Sequence, residues 1–175
     1  LRQSDNTLYL LYITLTGGLN FVYQTFSAGA WSGTEVAIAT TVSSILTYAV
    51  DAADRLHIGY SLTFPTGRLI YRQISAAGVV GSPTTVFSSG FGLLFGSGNG
   101  VILNGDTICF PYVTGGSEQD VEVALGTPLA APVWTSEQAN VGAPVLRATT
   151  NTLALDGSGN LVSFFSVYDQ SDGDP

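Results

Sequence analysis

The sequence predicts an all-β protein assembled from repeated short antiparallel units. Three observations carry this reading. Among 175 residues, 21 are glycine and many are β-branched or aromatic, a balance that favours strands joined by turns. No window of a dozen residues sustains apolar positions at i, i+3, i+4 and i+7 without glycine or proline, so helices are not expected. A pattern of apolar alternation and polar turns returns along the chain at spacings of 48 to 53 residues.

The units read strand by strand. SILTYAVD, GVILNGD and TNTLALD supply a short apolar first strand. The second strand is the clearest: SDNTLYLLYI, AADRLHIGYS, LNGDTICFPYV and DGSGNLVSFFS each pass from a polar turn through alternating residues to an aromatic. These aromatics are Tyr12, Tyr60, Tyr112 and Phe165, spaced 48, 52 and 53 residues apart. The third strand lies in GGLNFVYQTFSAGAWSGTEV and TGRLIYRQISAAGVVGSPTTV, which set Tyr23 beneath Tyr71, again 48 apart. QDVEVALGTPLAAPVWTSEQ takes that place in the third copy, with Trp134 where Trp31 and Val80 stand. A weaker fourth strand of the TTVFSS type closes the unit, and DAAD, FPTG and AAGVVGSP are the turns of the second copy.

Four strands per unit of ~40 to 50 residues mark a propeller blade. We therefore expect a β-propeller with four-stranded antiparallel blades, the chain covering about half of a six- or seven-bladed ring. The boundaries fall at a partial blade 1–42, blades 43–90 and 91–142, and a partial blade 143–175. The first unit lacks its SILTYAV-type strand and the last stops after LVSFFSV. On this reading the chain is a piece of a longer polypeptide, and its ring is closed by the remainder of that polypeptide or by a second copy. An open half-ring exposes apolar blade faces and unpaired edges.

Composition narrows the partners. The net charge is −8 with five arginines and no lysine, which argues against a phosphate-tracking nucleic-acid surface and against an anionic membrane face. No apolar run reaches the ~18 residues of a membrane-spanning helix, so no membrane insertion is expected. Only 10% of residues are charged, against ~25% in ordinary soluble domains, so Ser, Thr, Gly, Asn and Gln must make up much of the surface. The single Cys109 stands in the apolar run VILNGDTICF and reads as a buried thiol.

The succession of an apolar strand, Asp-x-x-Asp/Gly-x-Leu-x-Ile-x-Tyr, Leu-x-Tyr-Arg and then Gly-x-Trp or its equivalent resembles the sialidase-like (BNR-type) β-propeller superfamily. That group includes glycosidases, polysaccharide lyases, sugar-binding lectins and host-binding proteins of bacteriophage tails. Its Asp-box, Ser-x-Asp-x-Gly-x-x-Trp, is degenerate here: SAGAWSG keeps Gly and Trp without Asp, and APVWTS keeps only Trp, so both tryptophans read as packing residues. The resemblance is at the level of fold, and chemistry must be argued from the residues.

A hydrolase of that type needs an arginine triad, a Tyr/Glu pair and an acid carboxylate. Arg55, Arg68, Arg72 and Arg147, with Glu35, Glu118, Glu122 and Glu137, show no spacing of a catalytic set. A lyase would draw on His57, Tyr60 and Arg68. No catalytic residue is assigned. His57 occupies a slot filled by Tyr9 in the first copy, which marks it as a structural or surface group. Without a second histidine no zinc pair exists. Asp51, Asp54, Asp106 and Asp156 read as acceptors for turn amides. The weaker reading is calcium, at DGSGN (156–160) and DQSDGD (169–174).

Arg68 and Arg72 flank LIY and project to one side of their strand, an arrangement suited to a carboxylate or sulfate on a glycan. Tyr60 and Tyr71 offer aromatic faces to sugar rings, and His57 completes the candidate ligand-binding set. The leading expectation is a non-catalytic propeller on an extracellular or virion surface, with a glycan or cell-surface receptor as partner. A carbohydrate-active enzyme and a purely structural surface component are the alternatives.

Overall fold

The computed structural model describes residues 6–15, 17–62, 67–88, 93–94, 98–114, 121–138 and 146–169. All regular structure among them is strand. The strands are β1 (Leu8–Thr14), β2 (Asn20–Ser27), β3 (Ala30–Trp31), β4 (Val36–Thr40), β5 (Val42–Val50), β6 (Leu56–Leu62), β7 (Arg68–Ile74) and β8 (Thr84–Ser88). They continue as β9 (Leu93–Leu94), β10 (Gly98–Asn99), β11 (Val101–Leu103), β12 (Thr107–Thr114), β13 (Val121–Thr127), β14 (Val133–Gln138), β15 (Leu146–Leu155) and β16 (Leu161–Asp169).

Four sheets form in chain order, except that β10 crosses back to the second. The first joins β1 to β2, with β3 and β4 sharing the far edge of β2. The second runs β10-β5-β6-β7-β8, and the third β11-β12-β13-β14 with β9 also on β12. The fourth pairs β15 with β16. All pairings are antiparallel except that of β10 with β5.

Strand register bears out the alignment of the units. Tyr12, Tyr60 and Tyr112 lie opposite Val22, Ile70 and Glu122, and Trp31, Val80 and Trp134 lie opposite Phe26, Ile74 and Gly126. The first strand of the third unit, expected in GVILNGD, is Val101–Leu103, and the residues just before it cross to the second sheet. Gly98 and Asn99 lie parallel to Thr47 and Tyr48 of the second sheet, and only Val101–Leu103 joins β12. Gly100 is the crossing point: its N–H reaches the Tyr48 carbonyl at 2.9 Å, and a Cβ there would stand 2.8 Å from the Phe110 ring. Of the FPTG turn, residues 64–66 lie outside the described residues.

Each sheet packs its face against the next. Leu56, Ile58, Tyr60, Ile70 and Ile74 meet Tyr9, Phe21, Tyr23 and Ile38 of the first sheet, with Phe21 edge-on to Tyr60 at 5.7 Å. On the other side of the second sheet, Ala49, Leu69 and Tyr71 meet Ile108, Phe110, Tyr112 and Ala124. Cys109 and Val123 then meet Leu153 of the fourth sheet. Because β6 is covered on both faces, its residues from Leu56 to Ser61 are all buried, which removes the usual polar-out alternation of an antiparallel strand. Gly59 reflects that crowding: a Cβ would come 2.7 Å from Thr47 Cγ2 and 3.1 Å from Phe110.

Candidate functional site

The turn between β5 and β6 is built on Asp51. Its N–H donates to the Arg55 carbonyl, the Asp54 N–H donates to its own carbonyl, and its Oδ1 accepts the N–H groups of Ala53 and Arg55, both at 2.9 Å. Asp54 takes φ 58°, a left-handed conformation that a short Asp tolerates. The turn between β15 and β16 repeats this arrangement. Asp156 Oδ1 accepts the N–H groups of Ser158 and Asn160, both at 2.8 Å, and Gly159 at φ 82° stands where Asp54 stands.

The recurrent aspartates at these two turns are thus backbone acceptors, as the sequence implied. At the DGSGN turn the second oxygen of Asp156 also accepts Asn160 Nδ2 at 2.9 Å, so both oxygens already serve internal donors. Those hydrogen bonds hold the Asp156 carboxyl below its ordinary range. Most of the DQSDGD candidate lies outside the described residues. Asp106 differs from both: Asn104 and Gly105 make its turn, with φ 52° and 72°, while Asp106 Oδ1 accepts the Leu129 N–H.

At Asp51 the second oxygen does more. Oδ2 accepts Arg55 Nε at 2.6 Å and His57 Nε2 at 3.1 Å, while His57 Nδ1 lies 2.9 Å from the Tyr71 hydroxyl. An ionised carboxylate only accepts, so the ring proton sits on Nε2, and Nδ1 accepts from the Tyr71 O–H. The His57 and Tyr71 rings stack at 5.9 Å, and Phe110 and Trp134 close over Tyr71 at 6.1 and 5.1 Å. His57 is fully buried, and Asp51 and Tyr71 nearly so.

Burial works against the Asp51 charge, yet the Arg55 N–H, the His57 ring, the Arg55 side chain and the Ala53 N–H outweigh it and hold the carboxyl below its ordinary range. Burial also pulls the His57 pKa down, against the opposing pull of Asp51, and pushes the Tyr71 hydroxyl up. A phenol pushed in that direction keeps its proton, and Phe110 and Trp134 pack against its ring. The Asp51–His57–Tyr71 chain is a satisfied polar pin between turn and sheet interior. Sequence reasoning placed His57 in a structural slot but missed its partners. The readable signal was alternation: Gly59 lies opposite Tyr71, so His57, Gly59 and Tyr71 share one face.

Arg68 and Arg72 face the opposite way, toward the first sheet. They line a cleft of about 380 Å³ together with Tyr60, Thr40, Thr41 and Thr85. Arg72 Nη1 donates to the Ile38 carbonyl of β4, while its Nε is buried with no partner among the described residues. Burial pushes the Tyr60 hydroxyl up in spite of the Arg72 cation beside it. Neither arginine has an ion-pair partner among the described residues, in a chain of net charge −8. Of the five ligand-binding candidates, the structure therefore brings Arg68, Arg72 and Tyr60 together and places His57 and Tyr71 on the other face of the sheet. The same division separates His57 from Tyr60 and Arg68 as a lyase set.

A second cleft between the first sheet and the turn at Ala76–Gly78 holds about 480 Å³, with Tyr9 and Tyr23 beside the hydroxyls of Thr25, Ser27, Ser32 and Thr34. Trp134 packs on Phe110 at 5.6 Å, as expected, whereas Trp31 is half exposed, its ring edge set against Phe26 at 5.3 Å. Trp31 lies on the face of the first sheet that no other sheet covers among the described residues. Cys109 is fully buried, and burial pushes its thiol up to about 11. Among the described residues no group of three metal-ligating side chains gathers. A scan against protein-family models and a search of curated proteins each give no match for this chain.

Proposed function

We propose that the chain is a segment of a sialidase-like β-propeller that binds an anionic glycan without catalysis, through the cleft between its first two sheets. The observation carrying this reading is the pair Arg68 and Arg72, two cations without an ion-pair partner among the described residues, which line one cleft with Tyr60. Paired guanidinium groups recognise a carboxylate or sulfate, Tyr60 marks the cleft wall with a phenol, and the threonine hydroxyls suit sugar hydroxyls. Four consecutive sheets stacked face to face support the propeller reading. A lysine-free surface of low charge fits exposure on an extracellular or virion surface.

The test is a glycan array carrying sialylated, uronate-containing, sulfated and neutral members, followed by titration of the best binder. Acidic glycans should be retained, with affinity falling as salt rises. Arg68→Ala, at an exposed position, should weaken binding about tenfold or more while leaving the unfolding midpoint unchanged. Equal retention of neutral and acidic glycans, or full binding by Arg68→Ala, would remove the cleft from consideration.

A further inference from the structure

The internal sheets share one rule of assembly. In the second sheet the face carrying Leu56, Ile58 and Tyr60 packs back onto the first. In the third, the equivalent residues Ile108, Phe110 and Tyr112 pack back onto the second, and in the fourth Leu161 packs against the third. Each sheet thus has a leading face, which meets the sheet before it, and a trailing face, which receives the sheet after it.

The register assigns the same leading face to the first sheet. The positions equivalent to Leu56, Ile58 and Tyr60 are Leu8, Leu10 and Tyr12, and those equivalent to Ile74 and Val80 are Phe26 and Trp31. Among the described residues no sheet covers this face, and Leu8, Leu10 and Trp31 are 39%, 46% and 49% exposed. The trailing face of the fourth sheet is likewise uncovered by any sheet among the described residues. Val162 and Phe164 alternate with Leu161 and stand opposite Ala154 and Thr152, and Phe164 is 57% exposed. Apolar side chains gathered on one sheet face mark an interaction surface, unlike the scattered apolar residues normal on a protein surface.

We propose that the leading face of the first sheet docks, head to tail, on the trailing face of the fourth sheet of a second copy of this chain. The three interior interfaces identify the occupant, because every leading face that is covered is covered by the trailing face of a neighbouring repeat. A contact between two different faces is heterologous, so it extends or closes into a ring according to the rotation it imposes. The proposal does not depend on the arginine cleft.

The experiment is sedimentation velocity on the full chain from about 2 to 200 µM, a range that captures weak association. The wild type should form species at multiples of 18.2 kDa as concentration rises. Leu10→Glu and Phe164→Glu each block one face, and each alone should weaken self-association about tenfold or more by burying an unpaired charge. An equimolar mixture of the two should recover a dimer and nothing larger, since each variant supplies the face that the other lacks. Both changes fall at exposed positions, so unfolding midpoints should match the wild type. A wild type that stays at 18.2 kDa throughout would overturn the proposal and leave these faces to sheets elsewhere in a longer polypeptide. Failure of the mixture to dimerise would overturn it equally.

Discussion

Replacing Asp51 by Ala tests whether the Asp51–His57–Tyr71 pin holds the turn to the sheet interior. The substitution leaves the Ala53 and Arg55 N–H groups without their side-chain acceptor, at about 1 kcal/mol each. It also strands the His57 Nε2–H in a fully buried position, at about 1–3 kcal/mol. Arg55, with its side chain 29% exposed, turns to solvent and adds little. The expected loss is about 3–5 kcal/mol, the range for removing one partner from a buried charged network. Urea unfolding followed by the fluorescence of Trp134, which packs against Tyr71 and Phe110, measures it. Asp156→Ala is the internal control. It removes the same two turn hydrogen bonds from an exposed turn with no histidine behind it, so its loss should be clearly smaller. Equal losses for the two variants, or a loss below about 1 kcal/mol for Asp51→Ala, would refute the pin and reduce Asp51 to a turn former.

The same pin sets a pH dependence. Asp51 and His57 both titrate in the folded state below their ordinary values of 3.8 and 6.5, so the unfolded chain binds more protons. Urea midpoints should hold above pH 6.5, fall as His57 must charge below it, and fall further as the pH drops below 3.8; a midpoint that rises on acidification would contradict the assignment. Gly59→Ala should cost about 1–3 kcal/mol, because its methyl would meet Thr47 and Phe110 between two packed sheets, and a neutral result would mean those sheets can separate. Cys109, buried and with its thiol pushed up to about 11, should react with a thiol reagent only on unfolding; rapid labelling of the native chain would show the interface of the third and fourth sheets to be open.

The repeat was legible because the spacing of Tyr12, Tyr60 and Tyr112 is carried directly into strand register, opposite Val22, Ile70 and Glu122. The projection of Arg68 and Arg72 to one side followed from strand period alone. The burial of β6 on both faces was hidden, since His57 and Ser61 look solvent-facing until the third sheet covers them. Tyr71 was grouped with Tyr60 because both are aromatic and close in sequence, although an odd and an even position on paired strands face apart. The crossing just before the third unit's first strand was hidden too, because Gly98 and Asn99 pair with β5, far back in sequence.

That crossing bears on how the molecule opens. The chain lays Gly98 and Asn99 along β5 and then, past Gly100, enters the third sheet at Val101. The third sheet cannot peel away as a separate unit without also stripping the ladder from Thr47 and Tyr48. Local opening at this seam is therefore shared, and the amide of Gly100, held by Tyr48, should exchange its proton in step with those of β5 and β12. One glycine thereby joins two neighbouring repeats into a single unit of unfolding.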